Sequence, residues 1–238
     1  MVKSIDARSY YQATANLKLE CESLKGEISA DVCVIGAGYT GLSAALELAD
    51  AGYKVVVLEA ERIGYGASGR NGGQVCTGYS SGQSKIENQL GKADAVKCFA
   101  LAEESKALLE NRIKQHKIDC DLTWGYMHAI PKAHQMEELK AWRDEYEELG
   151  VKGLSLFTKP ELEQRLGTTI YHGALRESHA GHLHPLNYCL GLARAAMKSG
   201  AVIYENSRVT DVNTGSNPWA KTEHGMVKAK FMVIAGNA

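Results

Sequence analysis

The chain has 238 residues, 45% of them hydrophobic and 23% charged, enough to bury a sizeable core in one large domain or two small ones. Its 27 Lys and Arg balance 28 Asp and Glu to a formal net charge of −1, so there is no basic footprint for nucleic acid or an anionic membrane, and the expected partner is a small molecule. The six cysteines (Cys21, Cys33, Cys76, Cys98, Cys120, Cys189) form no CxxC pair, no apolar targeting segment follows Met1, and each apolar run breaks well short of the roughly 20 residues a bilayer span requires. These features read as reduced thiols in a cytoplasmic protein without a transmembrane segment.

Residues 1–27 are polar and aperiodic and are expected to form an N-terminal arm outside the core. DVCVI (31–35) then reads as a short buried strand, Leu42, Ala45, Leu46 and Ala49 recur at helical spacing up to Gly52, and KVVVLE (54–59) reads as a second buried strand. Together they predict a β-α-β unit with parallel strands. The stretch from Ala60 to Gly82 is rich in Gly, Ser and Asn and too long for an ordinary α/β connection, which points to function.

Helical sequence follows from about Lys85 to His116. LTWGYMHAI (122–130) predicts a strand, and Met136, Leu139, Trp142, Tyr146 and Leu149 mark an amphipathic helix. YHGALRE and AGHLH look extended, and Pro185 suits the first turn of a helix running through Leu186, Leu190, Ala193 and Met197 to Gly200. Strands AVIY, SRVTDV and FMVIA, with a hairpin around His224 and Gly225, complete the reading. The closing FMVIAGNA resembles a buried strand that delivers its end to a ligand, and further chain is expected after such a strand.

Gly36-Ala37-Gly38-Tyr39-Thr40-Gly41 fits GxGxxG at the junction of a strand and a helix. Gly36 permits the tight turn, Gly38 admits a pyrophosphate against the backbone, Gly41 allows close helix-strand contact, and the helix start offers amides and a positive dipole end. Glu59, ending the second strand, supplies the carboxylate expected to accept from the adenosine ribose hydroxyls, which disfavours NADP and leaves NAD and FAD. The next segment separates these two. An NAD domain would continue with another β-α unit, whereas Gly64 to Gln74 is a run of small residues able to pass close to a flat ring, with Arg70 placed to balance negative charge.

VCVIGAGYTGLSAALELADAGYKVVVLEA, IGYGASGRNGGQ, GHLHPLN and VIAGNA together resemble the D-amino-acid-oxidase-like flavoprotein superfamily, from SYYQATAN (9–16) to the end of the chain. The resemblance implies an α/β Rossmann-like FAD-binding domain with an interleaved, incomplete α+β substrate domain. The implied boundaries are an arm at 1–27, FAD-binding segments at 28–85 and 185–238, and a partial substrate domain at 86–184. It implies FAD along Gly36, Gly38, Gly41, Glu59 and Ala60, with Ser68, Arg70, Asn71, Gly72, Gly73 and Gln74 near the isoalloxazine, and Val209, Ala235 and Gly236 beside the dinucleotide. The implied activity is oxidation of a C–N bond in an amine of the gamma-glutamylputrescine kind, within putrescine catabolism, with O2 returning the electrons as hydrogen peroxide. A dehydrogenase using another acceptor, and a truncated FAD-binding fragment without turnover, stay open. The resemblance also implies a missing C-terminal half, hence self-association through uncovered faces of LTWGYMHAI and YHGALRE.

No catalytic residue is assigned. His182 and His184 alternate on GHLHP and are expected to share a face, either as a polar wall near the substrate or with His184 capping the Pro185 helix. With His179 they lack a completing carboxylate or cysteine, so no metal site is expected. Trp124, Trp142 and the tyrosines read as core rather than as a cage for an amine cation, and Cys33 and Cys189 read as buried fillers.

Overall fold

The computed structural model describes residues 9–236. Residues 1–8 of the expected arm and Asn237 and Ala238 of the closing segment lie outside the described residues. The helices are α1 (Tyr10–Ala13), α2 (Tyr39–Asp50), α3 (Gln83–Leu90), α4 (Lys92–His116), α5 (Met136–Glu148), α6 (Lys159–Leu166) and α7 (Pro185–Lys198). The strands are β1 (Gly26–Ser29), β2 (Val32–Ile35), β3 (Val55–Leu58), β4 (Gln74–Val75), β5 (Thr123–Ile130), β6 (Leu154–Thr158), β7 (Gly173–His182), β8 (Val202–Tyr204), β9 (Val209–Asn213), β10 (Trp219–Thr222), β11 (Gly225–Lys228) and β12 (Phe231–Ile234). The described residues divide into two compact units, one of 9–72, 112–120 and 184–236, the other of 73–111 and 121–183.

The first unit is built on a parallel sheet ordered β12-β2-β3-β8, with Val32 opposite Val55 and Phe231 opposite Val32. Parallel strands covered on both faces need apolar residues at every position, and Val55, Val56, Val57 and Leu58 are all buried. Helices α2 and α7 lie on one face and against each other. Leu42, Ala45, Leu46 and Ala49 are the buried stripe of α2, at the predicted spacing. The other face sends Cys33, Val56 and Leu58 into a cluster with Leu24, Ala220 and Val227 from the mixed sheet β1-β11-β10-β9. Each of these fully buried leucines contributes roughly 1.5–3 kcal/mol of transfer free energy.

One expectation fails here. Leu24 is 1% exposed and β1 pairs in parallel with β11, so the stretch before residue 28 reaches into the core. A single apolar residue docking between two sheets leaves no periodicity to read.

The second unit is an antiparallel sheet centred on β7, the single strand that YHGALRE and AGHLH form together. β5 runs along one side of β7, while β6 and then β4 share the other. Tyr126, His128, Leu175 and Glu177 point to the face covered by α5, where the His128 and Trp142 rings lie 4.4 Å apart and Trp142 meets Tyr146 at 5.5 Å. The helical sequence from Lys85 onward is two helices, because Gly91 with φ +81° breaks it. β6 and α6 were not anticipated.

Candidate functional site: the glycine turn of the first unit

The chain leaves β2 at Ile35 and must enter α2 four residues later. Gly36, at φ +106°, makes that turn and donates its amide to the Leu58 carbonyl at 2.8 Å. A Cβ would meet the Ala235 carbonyl oxygen at 2.8 Å on Gly36, the Ser68 Oγ at 2.8 Å on Gly38, and the Gly36 carbonyl oxygen at 1.9 Å on Gly41. Gly36 and Gly41 therefore hold β2, β12 and α2 at backbone contact, and Gly38 makes room for the Ser68 side chain. Ala235 donates its amide to the Ile35 carbonyl at 2.9 Å, and Gly236 follows it past the end of β12.

Glu59 emerges from β3 fixed at both backbone groups: its amide donates to the Tyr204 carbonyl at 2.9 Å and its carbonyl accepts from the Ser207 amide at 2.8 Å. The carboxylate is fixed as well. Its Oε2 accepts from the Ala37 amide at 2.8 Å and its Oε1 from the Glu61 amide at 3.0 Å. A carboxylate has about four acceptor positions, so these two bonds orient it while leaving capacity for two hydroxyl donors. Ala60, next in the chain, is half-buried.

Gly38 caps α2 without a side chain, and Ser68 supplies what is missing: its Oγ accepts from the Tyr39 amide at 3.0 Å. Ser68 sits in a short 3-10 turn, Ala67–Gly69, that Asn71 closes by donating Nδ2 to the Ala67 and Ser68 carbonyls at 3.1 and 3.0 Å. Tyr39 donates its hydroxyl to the Pro185 carbonyl at 3.0 Å and lies against Tyr188 with ring centroids 5.4 Å apart. Burial pushes the Tyr39 phenol well above its ordinary pKa, so it stays a donor.

The remaining expected residues divide. Val209 packs on the cluster that holds Leu58 and Cys33. Arg70 instead lays its guanidinium 4.2 Å from the Tyr65 ring centre, on the wall of a cavity of about 1010 Å³ that Leu17, Leu19, Arg62 and Leu190 also line and that none of Gly36, Gly38, Gly41 or Glu59 reaches. Gly72 is exposed at the end of the first unit. Gly73 and Gln74 belong to the second, where the Gly73 carbonyl accepts from the Leu183 amide at 2.9 Å and Gln74 pairs with His182.

His182 is exposed on β7, whereas His184 is only 7% exposed. Their expected shared face is lost because the strand ends at His182 and the chain turns into α7. His184 is the N-cap of α7: its Nδ1 accepts from the Asn187 amide at 3.1 Å. That fixes the tautomer, so Nε2 carries the proton and donates to Thr14 Oγ1 at 3.0 Å, while Tyr11 packs edge-on against the ring at 5.0 Å. Among the described residues no group of three His, Cys, Asp or Glu is placed to hold a metal, and no helix is long and apolar enough to cross a membrane. Cys33 and Cys189 are buried, and burial pushes both thiols up to about 12.

The family model described as FAD dependent oxidoreductase matches residues 31–238. The chain belongs to that family. Among curated relatives it is 40% identical over 230 residues to gamma-glutamylputrescine oxidoreductase of Escherichia coli (strain K12), covering 97% of this chain and 54% of the relative. It is 41% identical over 233 residues to probable oxidoreductase OrdL of Haemophilus influenzae, again covering 97% and 54%. Glycine oxidase from Geobacillus kaustophilus shares the fold with a TM-score of 0.75 at 24% identity, over 88% of this chain and 56% of that one. The chain thus spans about half the length of the curated relatives it matches.

FAD is the cofactor the family description names, and the residues present fit it. Gly38 starts α2 without a side chain, the N-terminus of that twelve-residue helix offers its dipole, and Glu59 is oriented for ribose. Reading the sequence missed Ala37 and Tyr39, which occupy the variable positions of GxGxxG and carry no signal there. It also missed Glu205, whose Oε1 accepts from the Ile63 amide at 2.7 Å and anchors the loop after Glu59.

Proposed function

We propose that the protein oxidises a carbon-nitrogen bond of a gamma-glutamylputrescine-like amine with O2 as acceptor, giving hydrogen peroxide and an imine that hydrolyses to the aldehyde. The observation that carries the reading is the convergence of Gly36, Gly38, Gly41, Ser68 and the doubly anchored Glu59 at one turn, in a chain 40% identical to a relative named for that amine. Bound FAD would supply the two-electron acceptor for the hydride leaving the amine carbon. Glu59 would hold the adenosine ribose, the α2 N-terminus the pyrophosphate, and Ser68, Asn71 and Gly72 the ring system, with Val209, Ala235 and Gly236 along the adenosine side. The first unit is accordingly assigned to FAD and the second to substrate, and the protein to the cytoplasm.

The test has two stages. Titration with FAD and with NAD, followed by flavin absorption and fluorescence quenching, should show saturation by FAD alone, and Glu59→Ala should weaken it by about 1–3 kcal/mol for the lost charged partner. Saturation by NAD without FAD would sink the cofactor assignment. Peroxide release across gamma-glutamylputrescine, free polyamines and amino acids should favour the first. Turnover only with an artificial dye would replace O2 by another acceptor.

A further inference from the structure

On the face of the second unit's sheet opposite α5, Arg176 stands between Met127 of β5 and Ser155 of β6. Two residues along, Phe157, Ala174 and Ala129 form the next row on the same face. Arg176 is half-buried, and its guanidinium fills the space beside Gly125 that a side chain there would occupy. A Cβ on Gly125 would sit 2.9 Å from Nη2, 3.5 Å from Cζ and 3.6 Å from Nε. Gly125 has φ +102° at a break in the β5–β7 register, so the bulge both demands glycine and clears the space the guanidinium fills.

Other arginines have a partner in the protein: Arg112 pairs with Glu47, Arg143 with Asp144 and Arg208 with Glu61, Arg194 donates to the Lys117 carbonyl, and Arg70 and Arg165 lie over the Tyr65 and Phe157 rings. No described carboxylate lies within ion-pair distance of Arg176, and no described acceptor bonds its guanidinium. A planar cation that gives up part of its water and is seated by a glycine bulge, yet has no anion, presents its donor fork to an anion from outside. Met127 flanks it with apolar surface suited to a methylene chain, while the Phe157 ring one row on is covered by the Arg165 guanidinium at 4.6 Å.

We propose that Arg176 binds the free carboxylate of the acyl group on the amine substrate, and so selects amines acylated by an amino-dicarboxylic acid over bare diamines and over acetylated ones. This deepens the amine reading above and rests on it for the identity of the substrate. The geometry itself concerns only the second unit.

Calorimetric titration of the 238-residue chain with gamma-glutamylputrescine, N-acetylputrescine and putrescine tests it without turnover. Gamma-glutamylputrescine should bind at least about tenfold tighter than N-acetylputrescine, in line with a charged hydrogen-bond pair. Arg176→Gln should erase that gap while leaving N-acetylputrescine binding unchanged, which also shows that the variant is folded. Arg176→Lys should restore part of the gap, because it keeps the charge and loses the fork. A gap that survives Arg176→Gln, or no gap in the unsubstituted chain, overturns the proposal. A gap that depends on Arg176 in a protein that never oxidises the amine would uphold the carboxylate site and refute the oxidase reading.

Discussion

In the first unit β2 and β3 bury valine after valine, and the polar work is left to the strand ends, where Gly36 and Glu59 begin. In the second unit β7 carries Glu177 at 2% exposure in its own middle, hydrogen-bonded to His128 at 2.8 Å, with Lys106 buried nearby against Thr77 and Glu103. The contrast predicts where each unit is vulnerable. Apolar parallel strands tolerate pH and salt but not a change of backbone spacing, whereas a buried ionic cluster tolerates neither loss of a partner nor loss of a charge.

The largest effect should come from breaking the spacing of the first unit. Gly41→Val places a Cβ 1.9 Å from a backbone oxygen that no rotamer can move. Helix α2 must then separate from β2, costing at least about 3 kcal/mol, beyond ordinary overpacking. Thermal unfolding should show the loss, and FAD quenching should disappear with it. A variant with unchanged melting and FAD affinity would mean that the turn relaxes freely.

Next in size is the ionic cluster of the second unit. Burial pushes the Glu177 carboxyl up, but the His128 hydrogen bond and the neighbouring His128 and Lys106 charges outweigh it and hold the group below its ordinary value of 4.5. A carboxylate depressed in the folded state stabilises fully above its unfolded pKa, and that contribution drains away as pH falls below about 4.5 through the lower folded value. Glu177→Gln should therefore flatten the acid limb of the stability curve and leave the slope near neutrality alone. His128→Ala, which leaves the buried carboxylate without its donor, should cost roughly 2 kcal/mol at pH 7. An acid limb identical in Glu177→Gln and the parent would assign the acid sensitivity elsewhere.

The same contrast explains what the sequence could show. DVCVI, KVVVLE and GxGxxG were legible because burial on both faces writes itself as continuous apolar runs, and a phosphate turn as glycines at fixed spacing. LTWGYMHAI was legible as a strand, but nothing in it marks Gly125 as a bulge or pairs His128 with a glutamate 49 positions later. β6 and α6 were missed although Thr158, Pro160 and Glu161 spell a helix start: Glu161 accepts from the Thr158 amide at 2.7 Å in a capping box. The ends of the Glu59 side chain were invisible for a different reason. Its amide partners, Ala37 and Glu61, bond through backbone that any residue provides.

The smallest effect tests the seam at which the first unit resumes after the second. His184 caps α7 through Nδ1 and holds Thr14 through Nε2, so two hydrogen bonds depend on one neutral tautomer. His184→Ala removes both and should cost about 1 kcal/mol, the usual worth of an N-cap, read as a shift in the unfolding midpoint. His184→Asn offers a good capping oxygen but is too short to reach Thr14 as the imidazole does. It should recover most of the loss if the cap dominates and little if the tie to Thr14 does. Because Asn187 also accepts from the Asn16 amide at 3.1 Å, the segment around Thr14 keeps a second anchor in both variants. Amide exchange at Asn187 and Asn16 therefore separates the two contributions: faster exchange at Asn187 alone assigns the energy to the cap, and faster exchange at both assigns it to the tie.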